Sequence, residues 1–249
     1  MKETTIIERK KIKLKNGVLI TGLPGIGLVG RVACRYIVKK LRTEKIADLY
    51  SPYFPHQVLM NKKGGMRMLK NSFYMVKGSK RPFVVMIGDV QALIPEGQYE
   101  VAGMVVEYAK RIGINEIITI GGYSTGRLAE TKRVFGAANN KKMIEKFKKM
   151  GVIFGEAKGS IIGIAGLLPA LAGLNRVDGI CLMGETHGGY VDAASAKKVV
   201  ELLSKYLDFK INLEELEKVA KEGEVAIKQI EEEVKKYMGG EQKEISYIR

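Results

Sequence analysis

Cysteine and histidine are scarce in this chain, and their scarcity excludes several kinds of site. The 249 residues include two cysteines and two histidines. Cys34 and Cys181 stand in apolar surroundings, so we expect buried free thiols and not a disulfide framework. His56 and His187 are distant in sequence and have no cysteine partners. Two isolated histidines are a poor ligand set, so we predict no metal site.

Long apolar segments and targeting signals are also missing. No apolar run in the sequence reaches the roughly 18–20 residues that a membrane helix requires. The first residues, MKETTIIERKK, lack the apolar region of a signal peptide. We therefore expect a cytoplasmic protein that has no membrane partner.

Acidic residues are scarce in the first third of the chain. Residues 1–81 contain 19 Lys and Arg against four Asp and Glu, whereas the later residues contain 23 of each. A basic surface can bind nucleic acid, anionic lipid or an acidic protein. Few aromatic residues interleave these charges and no RNA-binding signature occurs, so a nucleic-acid partner is not expected. A solvated, Lys-rich surface is the simpler interpretation.

Apolar strands alternate with amphipathic helices along most of the chain. This alternation predicts an α/β fold with a doubly wound, mostly parallel sheet and helices on both faces. Turn residues around the Gly64–Gly65 pair predict a small antiparallel β insertion over residues 57–77, at one edge of the sheet. The predicted strands are 4–8, 17–21, 45–50, 82–88, 114–120 and 180–183, and the predicted helices are 28–41, 99–112, 140–149, 161–174 and 192–207.

The C-terminal part has a different pattern. Apolar residues over 212–238 recur at steps of three and four, with charged residues between them, which predicts an amphipathic, heptad-like helix. Two glycines end this pattern, and the polar residues that follow are expected to be flexible. We therefore predict an α/β core domain (1–211), a C-terminal helix (212–240) and a C-terminal tail (241–249).

Residues 17–31, GVLITGLPGIGLVGR, combine a strand, a glycine-rich loop and a helix start. Gly25, Gly27 and Gly30 form the pattern GxGxxG, which is typical of a loop that places a nucleotide phosphate at a helix N-terminus. Asp48 follows 18 residues after Gly30, near the end of the next predicted strand, where a ribose-binding acid would stand. One candidate function is therefore a nucleotide- or anion-binding α/β enzyme.

Catalytic groups are few. His187 lies beside Glu185 and near Asp192, an arrangement that can be drawn as a general base with an orienting carboxylate. Neither a GxSxG nucleophile motif nor a phosphate-binding GxxxxGK[ST] motif occurs, and Ser124 has no evident base. Glycines at strand ends also serve sharp turns and close backbone contacts without any ligand. Glycine-rich loops after three predicted strands, 22–27, 121–126 and 184–189, define a candidate crevice.

Five segments together resemble one known family. In order they are GLPGIGLVG, SPYFPHQV, IGGYSTG, GIAGLLPALAGL and LMGETHGGYVDAASAKKV, and they extend over nearly the whole chain. They resemble the archaeal branch of the proteasome assembly chaperone family. The resemblance implies a sheet similar to that of purine nucleoside phosphorylase, a homo-oligomer, no catalytic activity and no cofactor. It also implies a scaffold that binds 20S proteasome α-subunits, or another protein client, without ATP.

The C-terminal tail fits this resemblance in part. Some family members dock through a terminal hydrophobic–Tyr–any-residue motif that enters pockets between α-subunits. Tyr247 matches the tyrosine, but Ser246 stands at the hydrophobic position, with Ile245 one step earlier. Two residues follow the tyrosine instead of one, and a tail that folds onto its own domain is the alternative. The candidate partner-binding residues are Ile245, Tyr247, Ile248 and Arg249.

Overall fold

The fold is built on one eight-stranded sheet. The computed structural model describes residues 1–127, 129, 131–157 and 159–223. The strands are β1 (Thr5–Glu8), β2 (Gly17–Gly22), β3 (Thr43–Tyr50), β4 (Val58–Met60), β5 (Met66–Met68), β6 (Asn71–Val76), β7 (Phe83–Gly88), β8 (Ile114–Ser124), β9 (Val134–Ala138) and β10 (Asp178–Thr186). The helices are α1 (Val29–Lys40), α2 (Pro95–Arg111), α3 (Lys141–Lys148), α4 (Ile164–Leu174) and α5 (Ala193–Leu207).

The sheet is parallel in its centre and antiparallel outside it. Its strand order is β1-β3-β6-β7-β2-β8-β10-β9. The four adjacent strands β7, β2, β8 and β10 pair in parallel. The strands on either side of this group pair antiparallel. All six residues of β2 are buried, as expected for a central strand covered on both faces. The predicted α/β class is confirmed, and its sheet is mixed.

The predicted β insertion is confirmed as a hairpin. Strands β4 and β5 form a separate two-stranded sheet, closed by a turn in which Asn61 N donates to Gly65 O at 2.9 Å. The rest of the predicted insertion is β6, which pairs with β3 on one side and β7 on the other. Strand β6 therefore lies inside the main sheet, and the placement of the whole insertion at an edge is wrong.

Helices cover both faces of the sheet, as predicted. Successive residues of a strand point to opposite faces, so Val18 and Ile20 pack under α1 and α5 whereas Leu19 packs under α2 and α4. Helix α2 begins at Pro95 and not at Tyr99, because proline is favourable in the first turn of a helix. Within the described part of the chain, no helix is both long and apolar enough to cross a membrane.

Helix α4 continues through its internal proline. Pro169 has no N–H to donate to the carbonyl of Ala165, one turn earlier. The hydroxyl of Thr119, on β8, donates to that carbonyl at 2.5 Å instead. A side chain of the sheet thus replaces the missing helical bond. The helix is buried on one side only, and Leu174 at its end is exposed.

The start of the predicted C-terminal helix packs on the core. Residues 214–223 are helical, and Leu216 and Ala220 are buried against the cluster that includes α1 and α5. The hydroxyl of Tyr36, on α1, donates to the carbonyl of Asn212 at 2.7 Å. The later part of the predicted helix lies outside the described residues, as do the tail residues Ile245, Tyr247, Ile248 and Arg249.

Both cysteines are free and buried, as predicted. Cys34 lies on α1, and Cys181 lies on β10. Burial raises the pKa of both thiols, that of Cys181 to about 11. At neutral pH both are therefore protonated, and neither is a reactive thiolate.

Candidate functional site

The three predicted glycine-rich loops meet at the carboxyl ends of β2, β8 and β10. These strands are neighbours in the sheet, and Gly122 on β8 pairs with Gly184 on β10. Asp192 N, just before α5, donates to Gly27 O at 2.9 Å, and Thr125 N donates to Thr186 O at the same distance. The loops therefore bond to one another across the predicted crevice.

Two of the glycines allow α1 to touch the sheet. A Cβ added at Gly22 would lie 2.0 Å from the carbonyl oxygen of Gly30, and one added at Gly30 would lie 2.2 Å from that of Ile120. A Cβ at Gly122 would lie 2.3 Å from the carbonyl oxygen of Ile26. No side chain fits at such distances, so only glycine is compatible with this packing.

The remaining glycines of the GxGxxG motif have different roles. Gly27 and Leu28 both have left-handed backbone, with φ of 60° and 49°, and they turn the chain into the start of α1. Gly25 is extended, and an added Cβ there would have only Gln91 Nε2 as a neighbour, at 4.0 Å. Of the three motif glycines, Gly25 alone borders open space. Anion binding by Gly25, Gly27 and Gly30 stays a prediction.

Asp48 does not lie beside the glycine loop. It is on β3, and two strands, β6 and β7, separate β3 from β2. Its carboxylate is 2% exposed, accepts from Ser72 Oγ at 2.5 Å and pairs with Lys45 at 2.8 Å. Arg9 and Lys70 lie at 2.7 and 3.2 Å. The interpretation of Asp48 as a ribose-binding acid is therefore wrong.

The carboxylate predicted to orient His187 is bound by an arginine. Arg133 Nε and Nη2 each donate to one oxygen of Glu185 at 2.9 Å, and this hydrogen bonding holds the pKa of Glu185 below its ordinary value. The ring of His187 stacks on Tyr190, with 5.7 Å between ring centroids. Among the described residues, no group of three His, Cys, Asp or Glu side chains is placed to hold a metal ion.

Asp192 is likewise bound elsewhere. Its carboxylate pairs with the buried Lys132 at 3.0 Å and accepts from Ser195 N at 2.8 Å, so it caps α5 as predicted. Glu185 and Asp192 are thus engaged by Arg133 and Lys132. The predicted arrangement of a general base with an orienting carboxylate is wrong, because the nearby cations hold both acids.

Large apolar side chains surround this edge of the sheet. They lie in the segments that enter the helices: Ile26 before α1, Leu93 before α2, Ile162 before α4 and Val191 before α5. All four are exposed, Ile162 to 89%. We call these four residues the apolar rim. Single exposed apolar residues are ordinary, whereas several at one edge are typical of a protein contact surface.

The β4–β5 hairpin adds a second exposed apolar surface. Val58 pairs with Met68 and Met60 pairs with Met66, so these four side chains share one face of the hairpin. All four are exposed, Met60 to 82%. Methionine adapts its shape to different partners. The alternation of residues that predicts the β insertion is also the sequence signal for this face, which was not predicted.

A comparison with protein families identifies the chain. The family model described as the PAC2 family matches residues 19–231. This chain belongs to the PAC2 family. The resemblance to proteasome assembly chaperones that the five sequence segments indicated is confirmed at the level of the family.

Three archaeal proteins are similar to this chain over most of their length. The uncharacterized protein MJ1210 of Methanocaldococcus jannaschii is 42% identical over 224 residues, which cover 90% of this chain and 85% of that protein. The crystal structure of Pyrococcus furiosus PbaB, described as an archaeal proteasome activator, matches with a TM-score of 0.87 and 36% identity. That match covers 93% of this chain and 100% of PbaB. Pyrococcus furiosus PbaA, described as an archaeal homolog of proteasome-assembly chaperone, matches at 0.77 and 27%, covering 99% and 100%.

Proposed function

We propose that this PAC2 protein is a cytoplasmic, homo-oligomeric scaffold that acts as a proteasome assembly chaperone or activator, without enzymatic activity and without ATP. The similarity to PbaB carries the proposal, because it extends over 93% of this chain and all of PbaB at a TM-score of 0.87. The partner we propose is the 20S proteasome, through its α-subunits, or another protein client. The relation of the sheet to that of purine nucleoside phosphorylase stays a prediction.

The distribution of polar groups favours a binding protein over an enzyme. Around the glycine loops, Glu185 and Asp192 are held by cations, and Gly22 and Gly30 serve the packing of α1. The exposed groups at the same edge are apolar, on the rim and on the hairpin. Apolar surfaces of this kind support contacts between subunits of the proposed homo-oligomer.

We assign contact with the proteasome to the C-terminal tail, residues 241–249. Ile245, Tyr247, Ile248 and Arg249 are the proposed contact residues, with Tyr247 as the aromatic anchor. The proposed C-terminal helix, 212–240, connects this tail to the core. Its first turns are fixed there by Leu216 and Ala220.

Binding to the α-ring of the host 20S proteasome tests the tail. Four full-length or truncated forms are compared in a pull-down: the natural chain, a deletion of residues 241–249, Tyr247→Ala, and Ser246→Ala as the adjacent control. We expect the deletion and Tyr247→Ala to abolish or greatly weaken binding, and Ser246→Ala to leave it unchanged. Undiminished binding by the deletion variant would show that the tail is not the docking element.

Two further measurements separate the parts of the proposal. Light scattering after size-exclusion chromatography should give the same subunit number with and without the tail, and a monomeric natural chain contradicts the scaffold. A thermal-shift screen with NAD, NADP and nucleosides tests the alternative of a nucleotide-binding enzyme. A ligand at 100 times its Kd stabilises the native state by about 2.7 kcal/mol, so the absence of any shift removes that alternative.

A further inference from the structure

A cationic cleft lies on the flank of α1 that begins at Arg31, next to the GxGxxG motif. Its volume is about 350 Å³, and five cations line it: Arg31 and Arg35 on α1, Lys45 on β3, Arg67 on β5, and Lys70 just before β6. Asp89 is the one carboxylate among the described lining residues. We call this the cationic cleft.

The cleft exists because α1 covers only part of its face of the sheet. Helix α1 packs over the central strands, and its apolar side belongs to that core. Beyond it, β6 and β3 turn polar side chains such as Ser72 and Lys45 toward the same face. The sheet is therefore the floor of the cleft, and α1 is one wall. Both are rigid elements, which suits a preformed site.

The carboxylates near the cleft are already paired. Arg67 forms a two-pronged bond with Asp89, at 2.6 and 3.1 Å. Lys45 and Lys70 share Asp48, the cross-strand neighbour of Ser72, with Arg9. The charge of Arg31 also acts on Asp89 and helps to lower the pKa of that carboxyl group, so each acid of this region is shared among several cations.

Arg31 and Arg35 are the two cations of the cleft that form no ion pair with a described carboxylate. Neither has a described carboxylate within 4 Å of its guanidinium group, and both line the cleft. With Arg9, the six cations of this region face two carboxylates, Asp48 and Asp89. Burial lowers the pKa of Lys45, and the neighbouring Lys70 lowers it further against the opposing effect of Asp48. The cluster thus holds more positive charge than its own acids neutralise.

We propose that the cationic cleft binds a small molecule that carries at least two phosphoryl groups. A phosphoryl group carries about −1.5 to −2 charges at pH 7, so two of them match the surplus of four positive charges. Arg31 and Arg35 stand one helical turn apart, about 5–6 Å between their Cβ atoms. Each planar guanidinium group can form a bidentate pair of hydrogen bonds with two phosphoryl oxygens.

The size of the cleft favours a small ligand over a protein segment. Its volume of about 350 Å³ lies at the lower end of the range of small-molecule sites. The proposal is independent of the proposed proteasome contact, which involves the tail. A loss of one function therefore leaves the other testable.

Isothermal titration calorimetry on the full chain tests the proposal. Pyrophosphate and tripolyphosphate represent the inorganic source of this chemistry, ADP and ATP represent the nucleotide source, and sulfate at equal ionic strength is the single-anion control. We expect binding of the diphosphate and triphosphate ligands and no measurable binding of sulfate. A nucleotide that binds more tightly than the matching inorganic ligand identifies a nucleotide site, and equal affinities identify the phosphates alone as the recognised group.

Substitutions in the cleft and at a control position test whether the ligand binds in the cationic cleft. Arg31→Gln with Arg35→Gln should weaken binding about tenfold or more, because hydrogen bonds to charged groups are lost. The matched control, Lys62→Gln with Lys63→Gln, removes the same charge at the exposed hairpin tip and should change affinity less than about twofold. Arg31→Lys with Arg35→Lys keeps the charge and should bind more weakly than the natural chain, since the two-pronged geometry is lost.

Four results overturn the proposal. They are no binding of pyrophosphate or tripolyphosphate at millimolar concentration, equal weakening by the hairpin control, unchanged binding by the Arg31 and Arg35 double glutamine variant, or tight binding of a polyglutamate peptide in place of the phosphates. The last result assigns the cleft to an acidic protein segment. Circular dichroism on each variant confirms that the fold is retained, and both arginines point into solvent-accessible space, so folding is expected to persist.

Discussion

Helix α1 has two neighbourhoods that the sequence presents very differently. Its first turn follows a GxGxxG motif, a pattern associated with phosphate binding, yet the backbones there touch so closely that Gly22 and Gly30 have no room for a Cβ. Its exposed flank carries no motif, yet Arg31 and Arg35 line an open cleft with unpaired charge. The comparison shows that a motif reports residue types, whereas a ligand site also requires space and unpaired polar groups.

The largest effect is expected where the backbones touch. Gly30→Ala should lower the free energy of unfolding by about 3 kcal/mol or more, because the new Cβ would meet the carbonyl of Ile120 at 2.2 Å and backbone must move. Chemical denaturation at neutral pH measures the change.

The matched control lies within the same motif. Gly25 is extended and faces open space, so Gly25→Ala should change stability by less than about 0.5 kcal/mol. If Gly30→Ala is tolerated as well as Gly25→Ala, the close packing of α1 on the sheet is not the role of this glycine.

The next largest effect concerns Asp48, the buried acid beside the cleft. Asp48→Asn should lower stability by about 2–4 kcal/mol at pH 7, because Lys45 and Lys70 lose the charge that balances them in a partly buried cluster. Urea denaturation of the variant and the natural chain gives the difference. Ser72→Ala is the milder comparison, since it removes one hydrogen bond to Asp48 and no charge. An equal loss in both variants means that the ionic partners contribute little.

The same carboxylate predicts a pH dependence. Burial raises the pKa of Asp48, but hydrogen bonds from Lys45, Ser72 and Arg9 outweigh burial and hold it well below its ordinary value. Because the native pKa is depressed, the ionised carboxylate contributes its full stabilisation at pH values above the unfolded-state pKa of about 3.9. This contribution is lost as pH falls from there through the native pKa. The stability difference between the natural chain and Asp48→Asn should therefore be constant from pH 5 to 7 and shrink below about pH 4. A difference that shrinks between pH 5 and 7 contradicts this assignment.

The smallest effect on stability is expected at the unpaired arginines. Replacing both Arg31 and Arg35 by Gln should change the free energy of unfolding by no more than about 0.5 kcal/mol, and any change should be a gain at low salt, since like charges are removed. Thermal unfolding at two salt concentrations measures this. If the free energy of unfolding falls by more than about 1 kcal/mol, the two arginine side chains stabilise the fold. The proposed difference between them and Gly30 would then be wrong.

Local patterns predicted the elements of this fold well. The apolar run before Gly22 gave β2, the periodic residues after it gave α1, and Asp192 gave the cap of α5. Each of these depends on residues close in sequence. Strand β9, Val134–Ala138, was not predicted, because its five residues include glycine and two alanines and have little strand character of their own.

The order of the strands in the sheet could not be predicted from local sequence patterns. Nothing local shows that β6 and β7 lie between β2 and β3, and this order is what removes Asp48 from the glycine loop. The cationic cleft was hidden for the same reason, because it brings α1 together with residues of β3, β5 and the segment before β6. The basic composition of the first third was visible, but which cations its few acids pair with depends on sheet register. The tail residues stay a prediction, since they lie outside the described residues.

The two buried cysteines have a practical consequence for following the tail. Since Cys34 and Cys181 are the sole thiols of the sequence and both are buried and protonated, the native protein should be nearly inert to maleimide reagents. We expect a cysteine introduced by Ser246→Cys, in the proposed docking tail, to be labelled selectively, which would place a fluorophore next to Tyr247 in the sequence. The natural thiols can be used to follow the core. Because Cys34 on α1 and Cys181 on β10 are buried, the slow rate at which they are labelled measures how often the core opens around these elements.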